Sequence, residues 1–334
     1  VSDCQAPIIL ILGPTAGGKT ELAIRLAQRL AGAHRLGGEC IGADSMQVYR
    51  GMDIGTAKPN AEQRQAVPHH LLDVADPADD DFNVDRWLEL AERAIADIRA
   101  RRRYPIVVGG TNLYVKMLLT GICDAPPPQA AVRGELQLTP QDELRAQLES
   151  VDPAAAARIH PNDRRRTIRA LEVFQLSGRR LSELQTQWTE AIREDALIIG
   201  IDYPVQTINS RINARVMRMI HDGLVDEVRG LHKAGAIGRQ AREALGYKQI
   251  IDHLEGRCSL EDAIEEIKIR TRRFAKQQRT WLRRFRMLPR SLWHDASQLT
   301  SDEILERSLA FIAECSQGRP LCDAARPVQG RDLT

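Results

Sequence analysis

Apolar residues along this chain follow two distinct patterns. Ile8-Ile9-Leu10-Ile11-Leu12 is an unbroken apolar run between Pro7 and Gly13, as expected of a strand buried on both faces of a parallel sheet. Residues 39–43 read as a second short strand, and Pro105 to Gly109 and Ala196 to Asp202 return to the buried-strand pattern. Between these runs the spacing becomes helical. Leu22, Leu26 and Leu30 recur with Ala23 and Ala27 up to Gly32, and Leu88, Ala91, Ile95 and Ile98 share one face of a helix over Trp87 to Arg101. Another helix follows Gly110-Thr111 through Leu119. Strands alternating with helices predict an α/β fold, a doubly wound parallel sheet with flanking helices and right-handed crossovers.

After Pro126-Pro127-Pro128 the pattern to about residue 190 is helical only, as in Ile168, Leu171, Val173 and Leu176. The expected organisation is a core over 1–122 and 196–290, with helices from Val205 to about Leu288. A helical insertion domain over 123–195 interrupts it, and a Pro-, Gly- and Arg-containing tail over 315–334 is expected to be disordered. Ala31 to Gly42 is long and glycine-rich, which predicts an extended surface loop.

Composition narrows the function classes mainly by exclusion. The 334 residues carry a net charge of only +2, so any polyanion partner must be argued from where the charges sit. No apolar run approaches membrane-spanning length. Six cysteines, at 4, 40, 123, 258, 315 and 322, include no C-x2-C pair; they read as free thiols of a cytoplasmic protein rather than a zinc or disulfide framework. His69-His70 lacks a suitably spaced third ligand and reads as a hydrogen-bonding pair rather than a metal site.

Gly13-Pro14-Thr15-Ala16-Gly17-Gly18-Lys19-Thr20 matches G-x4-G-K-[ST], directly after a strand and before a helix. Glycines let backbone N–H groups converge on phosphate oxygens, and the helix start adds the positive end of its dipole. Lys19 would neutralise the terminal phosphate, and the Thr20 hydroxyl would ligate Mg²⁺. The motif specifies phosphate and is silent on which phosphate, so ATP fits it as well. Asp44 follows the second predicted strand, on the crevice side where open α/β sheets bind ligands. It can equally cap the following turn.

Ala43 to Pro59 (Ala-Asp-Ser-Met-Gln-Val-Tyr-Arg-Gly-Met-Asp-Ile-Gly-Thr-Ala-Lys-Pro), Pro-His-His-Leu-Leu-Asp (68–73) and Val-Gly-Gly-Thr-Asn-Leu-Tyr (108–114) follow the phosphate motif. Ile-His-Pro-Asn-Asp (159–163), Ala-Leu-Gly-Tyr-Lys-Gln (244–249) and Arg-Arg-Phe-Ala-Lys-Gln-Gln-Arg-Thr-Trp-Leu-Arg (272–283) complete the series. In this order, across about 8–290, the chain resembles the bacterial tRNA dimethylallyltransferases. The resemblance implies a P-loop NTPase-like sheet with a helical insertion. It implies transfer of a dimethylallyl group from dimethylallyl diphosphate to N6 of adenosine 37 of tRNA, by a monomer with no membrane association. It assigns Asp44 as general base, residues 13–20 to the donor, and Thr111 and Arg133 to the substrate channel. For the anticodon stem-loop it implies contacts from Asp44, Ser45, Met46 and Gln47, from Arg165, Arg166, Thr167, Ile168 and Arg169, and from Gly246, Tyr247 and Lys248.

Charge adds an independent RNA signal. Lys268 to Arg290 holds ten basic residues and no acidic one. Arg272, Lys276, Arg279, Arg283, Arg286 and Arg290 recur at spacings of four and three, a basic stripe suited to phosphates, with Phe274, Trp281, Phe285 and Leu288 expected to pack on the core. Three other readings stay open from the residues alone: a P-loop small-molecule kinase or NTPase, a prenyltransferase for free adenine nucleotides, and a non-enzymatic RNA-binding module.

Overall fold

The computed structural model describes residues 6–32, 35–121, 125–184 and 192–316. The chain forms two compact units, Val1–Val115 with Asp195–Thr334, and Lys116–Glu194. The second begins inside a helix, upstream of the boundary expected at 123.

The first unit opens with β1 (Ile8–Leu12) and α1 (Lys19–Arg29). The glycine-rich segment that follows is a short antiparallel ribbon of β2 (Ala31–Gly32) and β3 (Arg35–Leu36), not a plain loop. Next come β4 (Gly38–Gly42), α2 (Ala61–Ala66), β5 (His69–His70), α3 (Val84–Ala100), β6 (Tyr104–Val108) and α4 (Asn112–Thr120), within which the unit ends. The second unit is helical: α5 (Ala130–Leu138), α6 (Gln141–Val151), α7 (Pro153–Arg158), α8 (Arg164–Ser177) and α9 (Leu181–Leu184). Its own core gathers Leu136, Leu144, Leu148, Ile168, Leu171 and Val173.

The chain then returns to the first unit through β7 (Ala196–Asp202), α10 (Val205–His221), α11 (Leu224–Lys233), α12 (Arg239–Arg242), α13 (Tyr247–Leu254), the long α14 (Leu260–Arg286), β8 (Ser291–Asp295) and α15 (Ser301–Ser316). The tail expected over 315–334 lies, from residue 317 on, outside the described residues.

Six strands form a parallel sheet in the order β5-β4-β6-β1-β7-β8, the P-loop NTPase-like arrangement. β1 is central and buried at all five positions. Each such aliphatic side chain contributes about 1.5–3 kcal/mol, so the loop leaving β1 stands on a firmly held strand. Ile9 and Ile11 share a core with Leu22 and Leu26 of α1 and with Ile304, Phe311 and Ile312 of α15. On α3, Asn83 caps the first turn, and buried Trp87 donates from Nε1 to the Gly42 carbonyl (2.8 Å) while stacking on Tyr114 at 4.5 Å. Parallel order puts the carboxyl ends of β4, β6 and β1 side by side. Among the described residues no helix is long and apolar enough to cross a membrane.

Candidate active site

Residues 13–18 turn sharply from β1 into α1. Gly18 holds φ at +83° as the residue before the helix, a conformation most side chains resist. Gly17 N–H closes the turn onto the Pro14 carbonyl at 3.1 Å. A helix leaves its first N–H groups without partners inside itself, so the start of α1 presents donors and a positive dipole end at this turn. Lys19 bends back over the loop, donating from Nζ to the carbonyls of Gly13 (3.0 Å) and Pro14 (2.8 Å). Burial, with Arg215 adding its repulsion, pushes its pKa down to about 8, and Asp44 opposes that shift.

Asp44 does both things its sequence position allows. Its Oδ1 accepts from Met46 N–H at 2.9 Å and Gln47 N–H at 3.4 Å, capping the turn. At the same time its charge acts on Lys19 and on Arg215, whose guanidinium is desolvated beside it. Thr111 links the neighbouring strand ends: its N–H donates to the Ala43 carbonyl (3.0 Å), and its Oγ1 accepts from Ser45 N–H (2.9 Å). The close approach depends on Gly109, where a Cβ would lie 2.1 Å from the Ala43 oxygen.

Three residues at this site were not anticipated from sequence. Arg211 and Arg215 lie one turn apart on α10; Arg211 Nε donates to the Ala16 carbonyl (2.8 Å), and its guanidinium lies 5.0 Å over the Tyr203 ring. Gln278 of α14, 2% exposed, accepts from Thr15 N–H and donates to the Gly110 carbonyl, both at 2.9 Å. The Thr15 amide, expected to meet the donor, is therefore already committed. The signal available for the two arginines was cations on a helix directly after a buried strand.

The segment after Asp44 is fastened by buried charge. Lys58, with 1% of its side chain exposed, donates to Asp53 (2.7 Å), Asp73 (2.6 Å) and the Tyr49 carbonyl. The Glu227 carboxylate gathers the N–H groups of Asp53, Ile54 and Gly55 at 2.8–3.1 Å and the Tyr247 hydroxyl. Gln47 donates from Nε2 to the Thr56 carbonyl at 3.0 Å. On the sheet edge His70 meets Glu39 at 2.7 Å and His69 Nδ1 meets the Val67 carbonyl.

Several residues expected at the RNA or, for Arg133, at the substrate channel have other partners. Tyr247 is fully buried beside Gly246 (φ +94°), so its side chain is core rather than contact surface, and Lys248 is ion-paired to Glu243 at 2.7 Å. In the second unit Thr167 and Ile168 are buried on the inner face of α8, which helical periodicity imposes when Arg165 and Arg166 face outward. Arg133 and Arg169 both pair with Glu172, a carboxylate without solvent exposure, at 2.7 and 2.9 Å.

The basic stripe is also narrower than expected. Arg290 lies beyond the end of α14, donating to the Cys315 carbonyl. Arg272 and Arg279 are half-buried and donate to Asn213 and the Tyr203 carbonyl. Of the residues expected on the core, Phe285 is buried but Phe274 is exposed, and α14 also buries Ala275, Gln278 and Leu282. Arg273, Lys276, Arg283 and Arg286 remain on the exposed side.

A family model described as IPP transferase matches residues 47–285. A tRNA dimethylallyltransferase of Geobacter sulfurreducens is 47% identical over 286 residues, 84% of this chain and 90% of its own length. The crystal structure of the full-length tRNA isopentenylpyrophosphate transferase of Bacillus halodurans superposes with a TM-score of 0.69 at 38% identity, covering 94% of this chain and 97% of that one. A eukaryotic dimethylallyltransferase acting on tRNA gives a TM-score of 0.81 at 28% identity, covering 96% and 82%.

Proposed function

The chain belongs to the IPP transferase family, and from that premise we propose that it transfers a dimethylallyl group from dimethylallyl diphosphate to N6 of adenosine 37 in tRNA. The relatives carry transferase names, which removes the kinase alternative that the loop motif had left open. The observation that carries the mechanism is a carboxylate, Asp44, beyond the end of β4, whose charge acts on two cations, Lys19 at the start of α1 and Arg215 of α10.

An exocyclic adenine amine is a weak nucleophile, since its lone pair is delocalised into the ring. As nitrogen bonds to the allylic carbon, the carbon–oxygen bond to diphosphate breaks, and Asp44 takes the N6 proton as general base. Capping by Met46 N–H holds that carboxylate in place before the amine arrives. Charge accumulates on the departing diphosphate oxygen, where Lys19, Arg215 and the α1 amides stabilise it more than they stabilise the ground state. The amine must leave its base stack to reach Asp44.

Thr20, a hard oxygen donor at the first turn of α1, is the residue that would hold Mg²⁺. Among the described residues no three His, Cys, Asp or Glu side chains form a metal cluster. The ion would supply charge neutralisation of the leaving group.

The test is to incubate the protein with labelled dimethylallyl diphosphate, Mg²⁺ and unmodified tRNA, then digest the RNA and look for prenylated adenosine. Asp44→Asn should lower turnover by about 10²–10⁴-fold while donor binding persists. ATP turnover without RNA, or full transfer by Asp44→Asn, would overturn the assignment.

A further inference from the structure

We infer that Gln278 is a positioning residue that fixes the distance between the phosphate loop and the base-bearing loops. The inference rests on the transferase reading above. Gln278 comes from α14, far in sequence from both segments it joins, and its side chain is buried. Its carboxamide oxygen accepts from Thr15 N–H, inside the phosphate loop, and its nitrogen donates to the Gly110 carbonyl, next to Thr111 (both 2.9 Å). A carboxamide offers an acceptor and a donor side by side without carrying charge, so both partners dictate its orientation.

The two contacts span a functional gap. Thr15 belongs to the turn that carries Lys19, and Gly110 belongs to the turn whose Thr111 holds Ser45, one residue from Asp44. β1 and β6 are adjacent, but their hydrogen-bonded register ends at Ile11 and Val108. Beyond the strands, the Gln278 bridge joins the two loops. The reaction needs the diphosphate carbon and the N6 proton acceptor at a fixed separation, and a misplacement near 1 Å costs about 100-fold in rate. Gln278 does not touch the reacting atoms; it acts through the loops.

The experiment compares Gln278→Leu, which keeps the volume and removes both bonds, with Gln278→Glu, which keeps the acceptor for Thr15 and loses the donor to Gly110 while ionised. Single-turnover transfer should fall about 100-fold for Gln278→Leu, with donor KM and tRNA affinity changed less than about threefold. For Gln278→Glu the rate relative to the unsubstituted protein should recover as pH falls, because the protonated acid donates to Gly110 again. Rates are referred to the folded fraction measured by thermal unfolding, and Gln278→Glu carries the test if Gln278→Leu does not fold.

Unchanged transfer per folded molecule in both variants, or equal losses in donor affinity and rate, would overturn the inference. A pH-independent ratio for Gln278→Glu would do the same. Failure of the unsubstituted protein to prenylate tRNA would instead sink the functional reading, a separate and visible result.

Discussion

At the scale of single residues, the site is built from opposed charges in a partly dry cleft. Lys19 is the most informative of them, because the same groups that lower its pKa are those a diphosphate would answer. Burial and Arg215 disfavour its charged form, and the value settles near 8. A bound diphosphate favours the charged form, so its pKa must rise on binding. Donor binding around pH 8–9 should therefore take up protons, and donor affinity should fall as pH rises through that window. Titration calorimetry in two buffers of different ionisation enthalpy measures the uptake directly. Lys19→Arg, which stays protonated throughout, should abolish it; proton uptake persisting in that variant would assign the linkage elsewhere. The sequence made Lys19, Asp44 and Thr111 legible because each sits at the end of a strand that announces itself by burial. Arg211, Arg215 and Gln278 were hidden, since what makes them part of the site is the docking of α10 and α14, which local spacing does not encode.

At the scale of elements, legibility tracked burial. β1, β4, β6 and β7 lie inside the sheet, and β1, β6 and β7 read as apolar runs. β5 and β8 lie at its edges, β5 with two histidines and β8 as Ser-Leu-Trp-His-Asp, and an edge strand need not be apolar on both faces. For α14 the sequence indicated a basic helix and placed its inward face only in part, with Phe285 buried as expected but Phe274 not. Periodicity placed Phe274 and the stripe on opposite sides, whereas the packed line runs through Ala275, Gln278, Leu282 and Phe285. Arg272 and Arg279 consequently border the core and Arg286 lies over the Trp293 ring, so the exposed positions Arg273, Lys276 and Arg283 are the ones set toward phosphates. Replacing these three by Gln should weaken tRNA binding and reduce the slope of log affinity against log salt by about 2–3, near one for each phosphate the helix no longer neutralises. Filter binding across a salt series measures it, and transfer at saturating tRNA should change little. An unaltered slope would exclude this face from the interface. Arg272→Ala and Arg279→Ala should instead lower stability, since each removes a bond inside the first unit.

At the scale of the whole molecule, two hydrophobic cores, one in each unit, share no residue. One joins β1 and α1 to α15, and the other lies among α5, α6, α7, α8 and α9. The sequence suggested the division through the change to purely helical patterning after Pro128. It did not suggest that α15, late in the chain, closes the core beneath the phosphate loop. Phe311 is 8% exposed in that core, with Ile304 and Ile312 beside it, so truncating its ring should leave a cavity and lose about 3–5 kcal/mol. That loss belongs to one unit. Hydrogen exchange on Phe311→Ala should show reduced protection in β1, α1 and α15, with α6 and α8 near their original rates. Because β1 and α1 carry the phosphate loop between them, donor affinity should fall with that protection, although residue 311 is a core position of α15 rather than part of the loop. Equal loss of protection in both units would mean that they unfold as one cooperative body, and the separate-core account would then have to be abandoned.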